Sequence, residues 1–450
     1  MSTDLEPKQS RVPGAALSLA LLILINLVNY IDRYNLAAVE PHIRDEFLKG
    51  DPNAFTKTGQ LSTAFLVTYM LFAPLFGWLA EKFNRWVIIG FGVLLWTIAT
   101  GATAYAPSYN ALLLCRIVVG VGEAAWGPTA PTIIADMYPV ARRGYVMAWF
   151  YVAIPVGSAL GYMLGGQMAA HFSWHYAFLT AVPPGLVLGV WAFFRPDPPR
   201  GANDEGVIKR KFRPRDLLVL VKTPSYVFNT LGMAAMTFAI GGMSFWLPTY
   251  VNEYRLHYGV DKAGSAHLGE VTSLVGVITV ICGIGGTILG GIWGDKLRNK
   301  GMRGAYFKLS GYTMLAAFPV FIASLYVPFP WAWAFIALAM FLIFLNTGPT
   351  NTITANVSHP ALRANAFGLN ILIIHAAGDA ISPRVIGQVR DATNSDTHGT
   401  LWPALNEAGG NMNAAFGLVG LAIFVAGVLW LLGARHLEKD TAAAGSSLAA

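Results

Sequence analysis

The chain has 450 residues, of which 55% are hydrophobic and only 12% charged, with a mean hydropathy of +0.50 and a formal net charge of +7. Soluble domains carry about a quarter charged residues, so this composition excludes a soluble globular protein and points to a polytopic α-helical membrane protein. The positive balance reads as loop bias at a membrane rather than as nucleic-acid binding, and Cys115 and Cys282 lie in apolar runs that suggest neither a disulfide framework nor a metal site.

Residues 1–13 are polar and read as a cytoplasmic N-terminal segment; the apolar run behind them is too long for the core of a signal peptide. Apolar windows of membrane-crossing length then fall near 14–38, 57–80, 86–105, 108–136, 143–170, 176–195, 225–252, 268–294, 305–327, 330–355, 362–388 and 412–434. The charged, proline-rich break at 196–224 divides them six and six, giving bundles at 14–195 and 225–434 and a polar tail at 435–450. The linker cations Arg200, Lys209, Arg210, Lys211, Arg213 and Arg215 share one side with Lys82, Arg85, Arg142, Arg143, Lys296 and Arg298. The positive-inside rule then puts both termini and the linker in the cytoplasm. Short loops favour a bacterial inner membrane.

The first window carries Asp32 and Arg33 inside the stretch Leu27-Val28-Asn29-Tyr30-Ile31-Asp32-Arg33-Tyr34-Asn35. Each charge costs about 3 kcal/mol in hydrocarbon, so such residues face a water-filled path or a partner charge. The competing reading ends the helix near Tyr30 and leaves the charges in water. Arg33 points about 100° away from Asp32 and is expected to snorkel outward or to pair with Asp45 or Glu46. On the fourth span Arg116 and Glu123 are seven apart, about 20° off one face and roughly 10 Å apart along it. Asp32 is the natural third member. It is read as the proton-coupling site, with Glu123 as second acid and Arg116 as charge partner or anchor for an anionic headgroup. A static ion-pair network between spans one and four is the alternative.

Further along, Asn26 and Asn29 could line the same wall or bond between helices. On span seven, Phe238, Met243 and Trp246 form an aromatic and methionine-rich wall that suits an acyl chain or simply packs, and Gly241-Gly242 could bend the helix. Asn346 adds polar lining on span ten. His375 and Asp379, four apart on span eleven, could relay protons or make a structural hydrogen bond. The substrate-binding candidates are thus Arg116, Glu123, Asn29, Asn346, His375, Asp379, Phe238 and Trp246.

An internal repeat supports the six-plus-six division. Gly77-Trp78-Leu79-Ala80-Glu81-Lys82-Phe83-Asn84-Arg85 follows span two, and Gly291-Ile292-Trp293-Gly294-Asp295-Lys296-Leu297-Arg298 follows span eight. Glu81, Arg85, Asp136, Arg143, Asp295 and Arg298 are candidate gating residues, whose pairs would bias one state against another.

These two turns resemble the signature loop of the major facilitator superfamily. Arg116-Ile117-Val118-Val119-Gly120-Val121-Gly122-Glu123-Ala124 resembles its fourth-helix motif, and Ile154-Pro155-Val156-Gly157-Ser158-Ala159-Leu160-Gly161 its fifth. Asn29–Tyr34, Gly122–Ala124 with Ala130–Asp136, and His375–Pro383 resemble the spinster branch. The resemblance implies twelve transmembrane helices in two bundles and alternating access. It also implies a lysolipid or sphingosine-phosphate-like substrate moved with protons by a monomer embedded in membrane lipids, with no cofactor. A proton-coupled symporter of a small organic anion, such as a sugar acid or aromatic acid, is the rival reading. A passive channel fits the duplicated turns poorly, and no H-E-x-x-H or P-loop signals an enzyme.

Overall fold

The structure is a computed structural model that describes residues 14–201, 216–258, 261–359, 362–393 and 411–444. The N-terminal segment 1–13, the linker cations Lys209, Arg210, Lys211, Arg213 and Arg215, and the tail end 445–450 lie outside the described residues. The first half holds α1 (Ala15–Phe47), α2 (Ala54–Lys82), α3 (Arg85–Thr103), α4 (Tyr109–Ala124), α5 (Ala130–Met137), α6 (Val140–His171), α7 (Trp174–Leu179) and α8 (Val182–Ala192). After α9 (Asp216–Val221) come α10 (Pro224–Thr249), α11 (Lys262–Asn299), α12 (Ala305–Tyr326), α13 (Ala332–Phe344) and α14 (Thr347–Asn356). The chain then continues through α15 (Arg363–Ile374), α16 (Ser382–Ala392), α17 (Asn411–Gly433) and α18 (Leu437–Ala444).

Among the described residues, eleven helical stretches are long and apolar enough to cross a membrane. The fourth expected span, 108–136, is instead split into α4 and α5 by turns at 125–129. Gly127 and Pro128 sit in that break, where glycine disfavours helix and proline restricts the residue before it. At 33 residues α1 is about 50 Å long, well beyond a hydrocarbon core of about 30 Å, so the charges at 32 and 33 lie mid-helix. The reading in which this helix stops near Tyr30 is overturned.

The helices form two bundles that meet through α1 against α10, α2 against α16, and α6 against α11. The helix does not break at Gly241-Gly242: α10 is continuous through them, and these positions let Asp379 and Ile386 approach closely. Its irregular turn comes later, as a π-helix at Tyr250–Arg255.

The C-terminal ends of α1 and α10 lie together, so both helices start on the same side, that of the chain termini. Among the described residues most bonds joining the bundles lie on the opposite, far side, and Tyr162 Oη of α6 also donates to the Ser244 carbonyl of α10 nearer the middle of the helices. Thr249 Oγ1 donates to Glu40 at 2.7 Å, Arg44 pairs with Glu253 at 2.6 Å, and Thr56 Oγ1 donates to Asp391 at 2.7 Å. His42 bonds Ser265 at 2.8 Å, and Gln167 donates to the Gly269 carbonyl at 3.1 Å. Packing follows suit. One apolar cluster crosses the far side from Ile43 and Phe55 to Trp246 and Val251, whereas another, around Leu21, Ile25, Trp86 and Ile133, belongs almost wholly to the first bundle.

Candidate functional site

The first bundle buries four charges where α1 faces α4. Asp32 Oδ2 accepts from Thr100 Oγ1 at 2.9 Å and from Arg116 Nη2 at 3.4 Å. Arg33 Nη2 donates to Glu123 Oε2 at 2.8 Å. Asp32, Arg116 and Glu123 are almost fully buried, while the Arg33 side chain is 23% exposed. Asp32 Oδ1 is buried with no hydrogen-bond partner among the described residues. About 240 Å³ of empty space adjoins the four charges, walled by Leu36, Ser62, Phe65 and Val119.

Close backbone approach positions these side chains. A Cβ on Gly120 would lie 2.3 Å from the Phe65 carbonyl of α2, and one on Gly122 2.8 Å from the Gly92 carbonyl of α3. Both glycines flank the arm of α4 that carries Arg116 and Glu123. On the other side of α1, Gly157 and Gly161 of α6 sit where a Cβ would be 2.8 and 2.6 Å from the carbonyls of Leu27 and Ile31. This is the small-residue packing that glycine permits between membrane helices. It fixes the depth and rotation of Asp32.

The expected outward course of Arg33 is overturned. Asp45 pairs instead with Lys49 at 3.5 Å, and Glu46 accepts from Trp174 Nε1 at 2.7 Å. Arg33 lies over the rings of Tyr30 and Phe65, at 4.9 and 4.8 Å, and ends at Glu123. A 100° step separates Arg33 from Asp32 at the backbone, but the long side chain recrosses that angle. Glu123 therefore pairs with Arg33, and Arg116 with Asp32. Asn29 stands beside Glu123, while Asn26 bonds across to the Phe150 carbonyl at 3.0 Å.

Five other substrate candidates make no bond to the cluster. Asn346 donates to the carbonyls of Leu342 and Ile343 at 3.1 Å and accepts from Thr313 at 3.0 Å, so its amide serves helix packing. Trp246 is fully buried, bonds the Pro383 carbonyl at 2.8 Å and stacks on Phe55 at 5.5 Å, which makes it part of the far-side closure. Phe238 is half-buried on the α10 face toward Gly378, and the apolar space between the bundles is lined instead by Tyr34, Met243, Leu247, Val275 and Met340. That space amounts to about 410 Å³. His375 and Asp379 do pair, Nδ1 to Oδ1 at 2.8 Å, within a π-helix spanning those residues, and Tyr69 of α2 lies within reach of the charges of both Asp379 and the Arg33–Glu123 pair.

The gating residues divide unevenly. Asn84 caps α3 by accepting from the Trp86 and Val87 N–H groups. Behind that cap Arg85 is buried, bonded to Asp136, to Asp197 Oδ1 at 2.8 Å and to the Pro198 carbonyl at 2.6 Å. Arg143 donates to the Ala135 carbonyl at 2.7 Å, and Gly201 N–H to Asp136 at 2.8 Å. Glu81 is exposed and stays out of this knot. In the second copy Asp295 accepts from Tyr306 Oη at 2.8 Å, and Asp295 and Arg298 are both exposed.

These features define a helical membrane transporter rather than an enzyme, and the family model described as Major Facilitator Superfamily matches residues 22–383. Among solved structures, a bacterial homologue of the human lysosomal transporter Spinster, in an inward-facing, occupied conformation, superposes with a TM-score of 0.77 at 21% identity, covering 95% of this chain and 98% of that one. A D-xylose–proton symporter superposes with a TM-score of 0.68 at 17% identity over 92% of this chain and 97% of its own. In sequence, Protein spinster homolog 3 of Danio rerio is 33% identical over 387 residues, 84% of this chain and 77% of that protein. Sphingosine-1-phosphate transporter SPNS2 of Mus musculus is 32% identical over 439 residues, 94% of this chain and 78% of its own. The chain belongs to the spinster branch of the Major Facilitator Superfamily.

Proposed function

We propose that the protein moves a single-chain, phosphate-bearing amphiphile of the lysolipid or sphingosine-phosphate type across a membrane by alternating access, coupled to protons through Asp32. The observation that carries this reading is the quartet of two acids and two guanidiniums inside the first bundle, with Tyr34, the residue after Arg33, lining an apolar space between the bundles. Fully ionised, the quartet is neutral. One proton on Asp32 leaves an excess positive charge at Arg116, and an anionic headgroup restores the balance. Arg33, the least buried of the four, is the first cation such a headgroup meets, and Glu123 serves as second acid. The name of the mouse relative supports the lipid phosphate, a chemistry that suits guanidiniums. Tyr34, Met243, Leu247 and Met340 would take the chain. His375 and Asp379 form a second titratable pair in the other bundle.

In this reading both termini and the linker face the cytoplasm, the far side is the external gate, and a monomer in a bacterial inner membrane does the work. The knots around Arg85 and the Asp295 turn govern the internal side. A small organic anion carried by symport is the rival substrate class, and the polar groups of Tyr34, Tyr162, Ser244 and Thr279 on the wall of the inter-bundle space are what favour it.

Purified protein in liposomes, offered lysophospholipids, a sphingoid phosphate and small organic acids with and without an imposed pH gradient, separates the two. Gradient-dependent movement of the single-chain lipids, with the gradient dependence lost in Asp32→Asn, is the expected result. Movement of the small acids alone would replace the substrate class. An Asp32→Asn protein with full gradient dependence would remove the coupling role.

A further inference from the structure

A groove at the termini side of the second bundle gathers charge that the transport cycle above does not use. It lies where α12 begins, α17 ends and α18 turns back across them, and it is lined by Arg303, Lys308, Arg435, Lys439 and Glu438 over a floor of Leu431 and Ala434. Two glycines with positive φ, Gly301 at 80° and Gly304 at 65°, bring the chain round into α12. Gly304 packs so tightly on the end of α17 that a Cβ there would meet the Ala434 carbonyl at 2.7 Å. The groove is therefore pinned at its closed end.

We propose that this groove binds the phosphate headgroup of an anionic phospholipid from the leaflet on the side of the termini. Four cations face one carboxylate, and that carboxylate is already engaged, since Glu438 accepts the Gly304 N–H. Arg303, Lys308 and Lys439 have no ion-pair partner among the described residues, and Arg435 bonds only the neighbouring His436, at 3.0 Å. Like charges converging on one concavity repel unless an anion sits among them.

Topological bias alone asks only that cations lie on this side of the membrane, not that they converge. It leaves unexplained a lysine at 308 that is half-buried inside the first turn of a membrane helix. The surroundings point to lipid rather than to a soluble anion. Tyr312, one turn on from Lys308, is 61% exposed, and Leu432 beside the groove is 44% exposed, so an apolar seam leads from the charges along α12 and α17. Basic pockets at the ends of membrane helices bind headgroups in this way.

The test uses full-length protein in phosphatidylcholine vesicles titrated with phosphatidylglycerol, reading bound lipid by native mass spectrometry and the thermal midpoint alongside. The Arg303→Gln, Lys308→Gln, Lys439→Gln triple variant is expected to weaken phosphatidylglycerol binding on the order of a hundredfold, from the loss of three surface cations. Its midpoint in phosphatidylcholine alone should match the parent. Glu438→Gln keeps an acceptor for Gly304 and removes the competing charge, so it should tighten binding; this arm stands even where the triple variant folds poorly. Unchanged affinity in both variants would overturn the site. Inorganic phosphate protecting the protein as well as the lipid does would overturn the lipid assignment.

Discussion

Asp32 and Arg33 are consecutive, yet each has a different partner on α4, and that crossing carries the energetics of the site. Removing one member of a buried pair strands the other charge, which costs about 3–5 kcal/mol, whereas replacing both by apolar groups of similar volume is close to neutral. Arg33→Leu should therefore lower the thermal midpoint sharply by leaving Glu123 buried and unpaired. Arg33→Leu with Glu123→Leu should recover most of it. A double-mutant cycle on thermal unfolding in one detergent checks this, and additive effects would mean that the two side chains do not interact. The Asp32–Arg116 pair was legible from a seven-residue spacing and a mid-helix acid. The Arg33–Glu123 pair was not, because helical geometry gives the direction of Cβ but not the reach of a guanidinium that bends past two aromatic rings.

The repeated turn shows a similar division. Its two copies were legible as glycine, acid and base at matched places, and both lie at helix ends on the termini side. Their chemistry differs: among the described residues the first copy is met by the segment 197–201 that follows α8, and the second by Tyr306 of α12. Arg85 binds Asp197 through both its backbone N–H, at 3.0 Å, and its side chain, while Arg200 donates to the Ala80 and Phe83 carbonyls at the end of α2 at 2.8 and 2.6 Å. Spacing could not reveal this, since Asp197 is 112 positions away from Arg85. A lysine cannot reproduce a forked guanidinium contact to two carboxylates and a carbonyl. Arg85→Lys should therefore behave nearly as badly as Arg85→Ala. Both should raise the rate at which protease cuts near residues 197–201 in detergent-solubilised protein. A lysine variant as resistant as the parent would show that charge alone holds this knot. The split of the fourth span escaped the hydropathy reading for a related reason: apolar windows register length and composition, and the stretch from α4 through the 125–129 break into α5 stays predominantly apolar despite Arg116, Glu123 and Asp136.

Taken as a whole, the molecule is held together at one end. Among the described residues most bonds between bundles, from Glu40–Thr249 to Thr56–Asp391, fall on the far side, and the apolar cluster that crosses between the halves lies there too. The Phe55 ring meets the guanidiniums of Arg44 at 4.2 Å and Arg390 at 3.8 Å and the Trp246 ring at 5.5 Å, so one side chain joins α1, α2, α10 and α16. Each such cation–π contact is worth about 0.5–2 kcal/mol, small enough to release and several together large enough to favour closure. Hydropathy and repeat gave the two halves, but which ends touch depends on contacts such as Gly59 against the Pro383 carbonyl, where a Cβ would be 2.4 Å away, and no local pattern encodes those. If the far side must part for substrate to pass, locking it should stop transport while leaving the other face open. Thr56 and Asp391 already touch, so Thr56→Cys with Asp391→Cys, after replacement of Cys115 and Cys282, places two thiols across that seam. Oxidation should abolish transport in liposomes and reductant should restore it, with the thermal midpoint unchanged or raised. An oxidised protein that transports at the reduced rate would show that this seam stays shut throughout the cycle, and the path would then have to leave between other helices.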